Sequence, residues 1–86
     1  MQVVFHKRFQ KNYAKLSDSV KDKFEKQLEI FYGDCFDKKL SNHELHGKYK
    51  NHRSINVSGD LRAIYTMVDK DIVLFVDIGS HSELYS

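Results

Sequence analysis

Five residues able to move protons or hold a phosphate recur in the carboxy-terminal half of the chain: His43, Asp60, Arg62, His81 and Tyr85. The last four bracket two apolar runs, residues 61–68 and 72–78, rich in Val, Ile, Tyr and Phe and separated by the polar Asp69-Lys70-Asp71. Runs of that composition joined by a short polar turn predict a β-hairpin. The start of its first strand lies beside the end of its second, so Asp60 and Arg62 meet His81 and Tyr85 at one hairpin end. Cutting an RNA phosphodiester needs a base at the 2′-hydroxyl, a cation for the charge developing on phosphorus, and an acid for the departing 5′-oxygen. Imidazole titrates near neutrality and serves at either end. Guanidinium offers planar two-pronged contact to phosphate, and a phenol ring stacks on an unpaired base. On this reading His81 is the acid, His43 or Asp60 the base, Arg62 the phosphate ligand, and Tyr85 or Tyr49 a stacking platform. Plainer readings stand beside these: His81 caps a strand end, Asp60 completes a turn, and Arg62 pairs with Asp60.

Other chemistries fit the sequence less well. Among the five histidines, His43 and His46 are three apart, a spacing that brings imidazoles together only on a helix, and Gly47 opposes a helix there. No metal and no cofactor is therefore predicted. The single cysteine, Cys35, makes neither an internal disulfide nor a thiolate zinc site and is expected to be a half-buried structural residue. A glycine-rich phosphate loop and a serine in a strained glycine-flanked turn are both missing from the sequence.

These residues need a scaffold. Val3-Val4-Phe5 is an apolar run suited to a first strand. Phe9, Tyr13 and Leu16 follow at helical spacing, with Lys and Arg between them. Ser17-Asp18-Ser19 offers caps for a second helix, whose stripe is Val20, Phe24, Leu28 and Phe31 and which ends near Gly33-Asp34. Residues 34–47 show no period. Ile55 and Val57 point inward from a short strand, and Ser58-Gly59-Asp60 is a turn. The predicted class is α+β, in the order β-α-α-β-β-β. A small antiparallel or mixed sheet of about four strands carries an amino-terminal helical hairpin on one face, and its other face is left partly open for a shallow site.

Length allows one domain, residues 1–86. With 41% hydrophobic and 30% charged residues the composition is that of an ordinary globular protein. No run approaches the ~20 apolar residues of a membrane span, and the amino terminus lacks a signal-peptide layout, so a cytoplasmic, membrane-free protein is expected. The net charge of +2 divides unevenly, +5 over residues 1–58 and −3 over residues 59–86. The basic part suits a polyanion. Within it, His46, Lys48, Tyr49, Lys50 and Arg53 form a basic, aromatic stretch expected to contact RNA.

Three pieces of the sequence now read as a family. His43-Glu-Leu-His-Gly47, the stretch from Arg53 through Gly59-Asp60-Leu61-Arg62-Ala63-Ile64-Tyr65, and Gly79-Ser80-His81-Ser82-Glu83-Leu84-Tyr85 resemble, in order and spacing, the RelE/YafQ toxins of bacterial type II toxin–antitoxin modules. The resemblance implies an mRNA interferase, an endoribonuclease that cuts message in the ribosomal decoding site and is held inactive by a cognate antitoxin. The free toxin would be a monomer and the complex a hetero-oligomer. It matches His43, Asp60, His81 and Tyr85 to the family's site residues and Arg62 to a strand arginine of RelE-like members. Where YafQ-like proteins carry a histidine and a tryptophan, this chain has Asn56 and Leu61, which leaves the base open between His43 and Asp60. The alternative on the same scaffold is a ParE-like toxin that binds DNA gyrase and cuts nothing; the histidine-rich pattern favours the nuclease. An amphipathic acidic helix from another chain suits a shallow basic site.

Overall fold

The computed structural model describes residues 1–85. Along the chain run β1 (Gln2–Phe5), α1 (Lys7–Ala14), α2 (Asp18–Gly33), β2 (His43–Glu44), β3 (Arg53–Ser58), β4 (Leu61–Asp69), β5 (Ile72–Ser80) and α3 (His81–Tyr85). The strands form a mixed sheet in the order β1-β5-β4-β3-β2. β1 runs parallel to β5, and every other pairing is antiparallel. The α+β class and the helical hairpin on one face agree with the expectation from sequence. Two elements add to it: the two-residue β2 and the terminal turn of helix α3, both too short to impose a hydrophobic period.

Local chemistry accounts for the helix starts. His6 Nδ1 accepts from the Arg8 amide at 3.0 Å and so caps α1. Ser17 Oγ accepts from the Val20 amide at 3.3 Å and caps α2, with Asp18 in the first turn against the positive end of the helix. The helices bury Phe9, Phe24 and Phe31 against Ile55, Val57, Ala63, Tyr65, Val73, Phe75 and Ile78 of the sheet. Aromatic rings make up much of this core: Phe24 meets Phe75 edge-on at 5.7 Å, and Phe31 meets Tyr65 edge-on at 5.0 Å. Cys35 packs half-buried at the margin of the same core.

β1 pairs with β5 only from Gln2 to Phe5. Beyond that point α1 covers the edge of β5, where Asn12 Nδ2 donates to the buried Asp77 Oδ1 at 2.7 Å. Between β4 and β5 the register shifts so that Val76 is the extra residue between the Tyr65–Phe75 and Ile64–Asp77 pairs.

The second face of the sheet is less open than the sequence predicts. Ile64 lies between Ala63 and Tyr65 and points away from the helices. With Leu45, Tyr49 and Leu84 it forms a smaller core against which Val76 packs. Residues 43–49 and α3 are thereby fastened to the face opposite the helical hairpin. Among the described residues no helix is long and apolar enough to cross a membrane.

Candidate functional site

The site is built on the margin of the smaller core. Arg62 on β4 faces the same side as Ile64, two residues along. Its guanidinium is half-buried and tied down. Nε donates to Ser54 Oγ at 2.7 Å, and Nη2 donates to the carbonyls of Ser41 at 2.6 Å and Ser54 at 3.1 Å. Among the described residues Nη1 has no protein partner. The two-pronged contact to phosphate expected from the residue type is therefore not available along the Nε–Nη2 edge, because strand neighbours already occupy it. What remains is the charge and the two hydrogens of Nη1. Burial pulls the guanidinium below its ordinary pKa, and the nearby Tyr85 opposes that by favouring the cation.

His43 touches the same group. Its Nδ1 lies 3.1 Å from the Ser41 carbonyl oxygen and 3.3 Å from Arg62 Nη2. The two hydrogens of Nη2 are shared among the two carbonyls and His43 Nδ1, so Nδ1 either accepts from Nη2 or, when protonated, donates to the Ser41 oxygen. In the tautomer whose Nδ1–H donates to Ser41, Nε2 is the acceptor that a general base requires. Ser41 reaches this position in the left-handed region, at φ 46°, closing the 3₁₀ turn Lys38–Leu40. The strand pair His43–Ser54 then sets His43 beside Ser54.

His81 and Tyr85 arrive from α3. Gly79 pairs with Arg62 across the β4–β5 ladder, so His81 begins two residues beyond Arg62's partner. Ser80 and Glu83 close a reciprocal cap: the Ser80 amide donates to Glu83 Oε1 at 2.7 Å, and the Glu83 amide donates to Ser80 Oγ at 3.3 Å. These hydrogen bonds hold the Glu83 carboxyl below its ordinary pKa. Leu84 is buried in the smaller core. One helical turn apart, the His81 and Tyr85 rings sit 4.8 Å from each other, and Tyr85 meets the edge of Tyr49 at 5.7 Å. Arg62, Tyr85 and His81 therefore share one side of the molecule, with His43 against Arg62.

Not every residue singled out by sequence joins them. Asp60 is exposed in the β3–β4 turn, and among the described residues it makes no hydrogen bond or ion pair, to Arg62 or otherwise. His46, Lys48 and Lys50 are exposed on the segment flanking the site. Tyr49 is buried in the smaller core with Lys48 Nζ 5.3 Å from its ring centre, so its ring is a packing surface. Burial also raises its phenol above the ordinary pKa. Arg53 is turned the other way: strand alternation sends it to the helix side, where its guanidinium lies 5.0 Å over Phe36 and Nε donates to Asn42 Oδ1 at 2.8 Å. Asn56 donates to the Gly59 carbonyl at 2.9 Å and closes the turn. The sequence reading missed Ser54 and Ser41. Nothing in a serine's spacing marks it as an arginine ligand. The sequence reading also passed over the capping-box spacing of Ser80-x-x-Glu83, the one local signal of a helix start there.

The sheet order and the helical hairpin define the class: RelE-like toxins of type II toxin–antitoxin systems share this fold. The solved YafQ from E. coli strain BL21(DE3) superposes with a TM-score of 0.80 at 20% identity over 99% of this chain and 98% of that one. RelE in the RelB–RelE antitoxin–toxin complex from Methanococcus jannaschii superposes at 0.74, with 19% identity over 95% and 94%. A copper-bound mutant toxin from Helicobacter pylori is 29% identical over 99% of each chain, at a TM-score of 0.72. No curated protein is a significant match to the sequence. The chain belongs to the YafQ family, whose model, a bacterial toxin of type II toxin–antitoxin systems, matches residues 1–86.

Proposed function

We propose that this toxin is a ribosome-dependent endoribonuclease. His43 Nε2 takes the proton of the 2′-hydroxyl, and the freed oxygen attacks the adjacent phosphorus. Arg62 Nη1 faces the charge that builds on the phosphoryl oxygens. His81 donates a proton to the departing 5′-oxygen, leaving a 2′,3′-cyclic phosphate on one fragment and a 5′-hydroxyl on the other. Tyr85, on the outer surface of α3, stacks against an unpaired base. Asp60 at the turn holds the message or the ribosome rather than the proton, because nothing orients its carboxylate toward Arg62 or His81. His46, Lys48 and Lys50 meet the RNA backbone. The contact between His43 and Arg62, with His81 over Tyr85 beside it, carries this reading: it sets a free imidazole nitrogen, a free guanidinium nitrogen and a second imidazole on one side of one small domain.

A cognate antitoxin is the second partner. Solved relatives include the DinJ–YafQ toxin–antitoxin complex from E. coli, at a TM-score of 0.76 and 21% identity over 99% of this chain and 97% of that one. A site this shallow is closed readily by a helix from another chain, and acidic residues on that helix would neutralise Arg62 and the nearby lysines. Induction in growing cytoplasm tests both parts. New message 5′-hydroxyl ends within translated codons, suppressed when the adjacent antitoxin gene is co-expressed, are the expected result. Growth arrest with intact messages and inhibited DNA supercoiling would instead assign the gyrase-poison alternative.

A further inference from the structure

We propose that Ser54 is the positioning residue that aims Arg62 at the scissile phosphate, a role that rests on the nuclease reading above. Ser54 is fully buried in the middle of the sheet. A buried serine hydroxyl in a strand is costly to keep unless it is bonded, and among the described residues this one has a single side-chain partner: Arg62 Nε, at 2.7 Å. The same residue's carbonyl takes an Nη2 hydrogen at 3.1 Å, while Ser41, held at positive φ, takes the other at 2.6 Å. An arginine has five N–H donors, and these contacts use three of them, the one on Nε and both on Nη2. The plane is held at three points, and the Nη1 hydrogens are the ones left without a protein partner among the described residues. A flexible arginine would lose side-chain entropy on gripping the transition state; this one has lost it on folding.

The clamp also acts on His43. Its two carbonyl acceptors compete with His43 Nδ1 for the Nη2 hydrogens, which favours the tautomer whose Nδ1–H donates to the Ser41 carbonyl. Ser54 therefore sets the direction of the cation and supports the tautomer of the base without touching substrate. Ser54 Oγ is the one acceptor of Nε among the described residues, so removing the hydroxyl leaves Nε without its protein partner and the guanidinium held through Nη2 alone.

Two measurements test this. In the free ¹⁵N-labelled protein, the Arg62 Nε–H signal is expected to exchange with water far more slowly than that of Arg8, and to lose that protection in Ser54→Ala but keep it in Ser54→Thr. Single-turnover cleavage on ribosomes programmed with message is expected to show Ser54→Ala at least tenfold slower at saturation. Its half-saturating concentration should match the parent's, and Ser54→Thr should restore the rate to within a few-fold. Thermal unfolding of each variant separates a positioning defect from loss of fold, since a misfolded fraction lowers amplitude and not the rate constant of the folded fraction. An unprotected Arg62 Nε–H in the parent overturns the clamp. A protected Nε–H with Ser54→Ala cleaving at the parent rate overturns the positioning role while the nuclease reading stands. A parent protein that cleaves nothing on programmed ribosomes defeats the nuclease reading, and this role with it, whatever the exchange data show.

Discussion

Arg62 is at once the most constrained and the most exposed to misreading of the candidate residues. Its type and its place at a hairpin end were legible, and so was its company with His81. Its ligands were not, because Ser41 and Ser54 act through a backbone carbonyl and a small hydroxyl that many strand positions carry. The difference alters the chemistry: a guanidinium with one edge committed is a fixed point charge rather than a fork. Arg62→Lys is accordingly expected to lose at least tenfold in cleavage rate, since an ammonium cannot satisfy Ser54 Oγ and two carbonyls while also facing phosphate. His43→Gln is expected to slow saturated cleavage by about 10²–10⁴, the usual worth of a positioned general base. Asp60→Asn, lacking any contact with the cluster, is expected to change binding before rate. A steady-state comparison of the three on programmed ribosomes checks that order.

The element that decides whether the site exists is α3. The sequence reading recognised its Gly-Ser-His-x-x-Leu-Tyr pattern without the physics behind it, which the fold supplies. Gly79 has no side chain because a Cβ there would sit 3.2 Å from Glu83 Oε1 and 3.3 Å from Glu83 Cβ, so the helix could not fold back onto β5 unmoved. Ser80 and Glu83 start it, Leu84 anchors it, and the remaining two residues of the pattern face the site. Five residues are too few for a periodic signal, which is why the helix itself was not legible. Leu84→Ala, which empties a buried site in the smaller core, is expected to cost about 2–5 kcal/mol in urea unfolding.

The cap on α3 also predicts a pH response. Glu83 is ionised in the cap and its carboxyl lies lower in the folded chain than in the unfolded one, so its contribution is fully present above the ordinary carboxylate range. It is lost as the pH falls through the depressed folded value. Amide exchange protection of α3 should weaken in that acidic window and not toward neutrality or above, and Glu83→Gln should remove the dependence. Protection that instead weakens on raising the pH from acid to neutral, after correction for intrinsic exchange, would contradict the cap.

At the scale of the molecule, one sheet carries a core on each of its faces. The larger aromatic core against α1 and α2 holds the fold, and its helical stripes were readable from spacing alone. The smaller core holds residues 43–49 and α3, and it was not readable: Leu45, Tyr49, Ile64 and Leu84 are scattered over three segments with no common period. That is also why Tyr49 looked like a free aromatic in sequence and is a buried one in the fold. Arg53 and Ser54 make the same point in adjacent residues, one turned to each face, which only the strand register decides. On the proposed function the exposed lysines beside the site serve affinity: replacing Lys48 and Lys50 together with alanine is expected to raise the half-saturating ribosome concentration severalfold, with a weaker salt dependence and an unchanged saturated rate.

The central claim is that two imidazoles and one fixed guanidinium on a single sheet face break a phosphodiester. Its most direct test is the saturated single-turnover cleavage of message on programmed ribosomes by the parent protein, His43→Gln and His81→Ala, with the fragment ends identified chemically. The account predicts 5′-hydroxyl and 2′,3′-cyclic phosphate ends from the parent and a rate reduced at least a hundredfold in each variant. Cleavage at the parent rate by either variant, or fragments bearing 5′-phosphate ends, would contradict it.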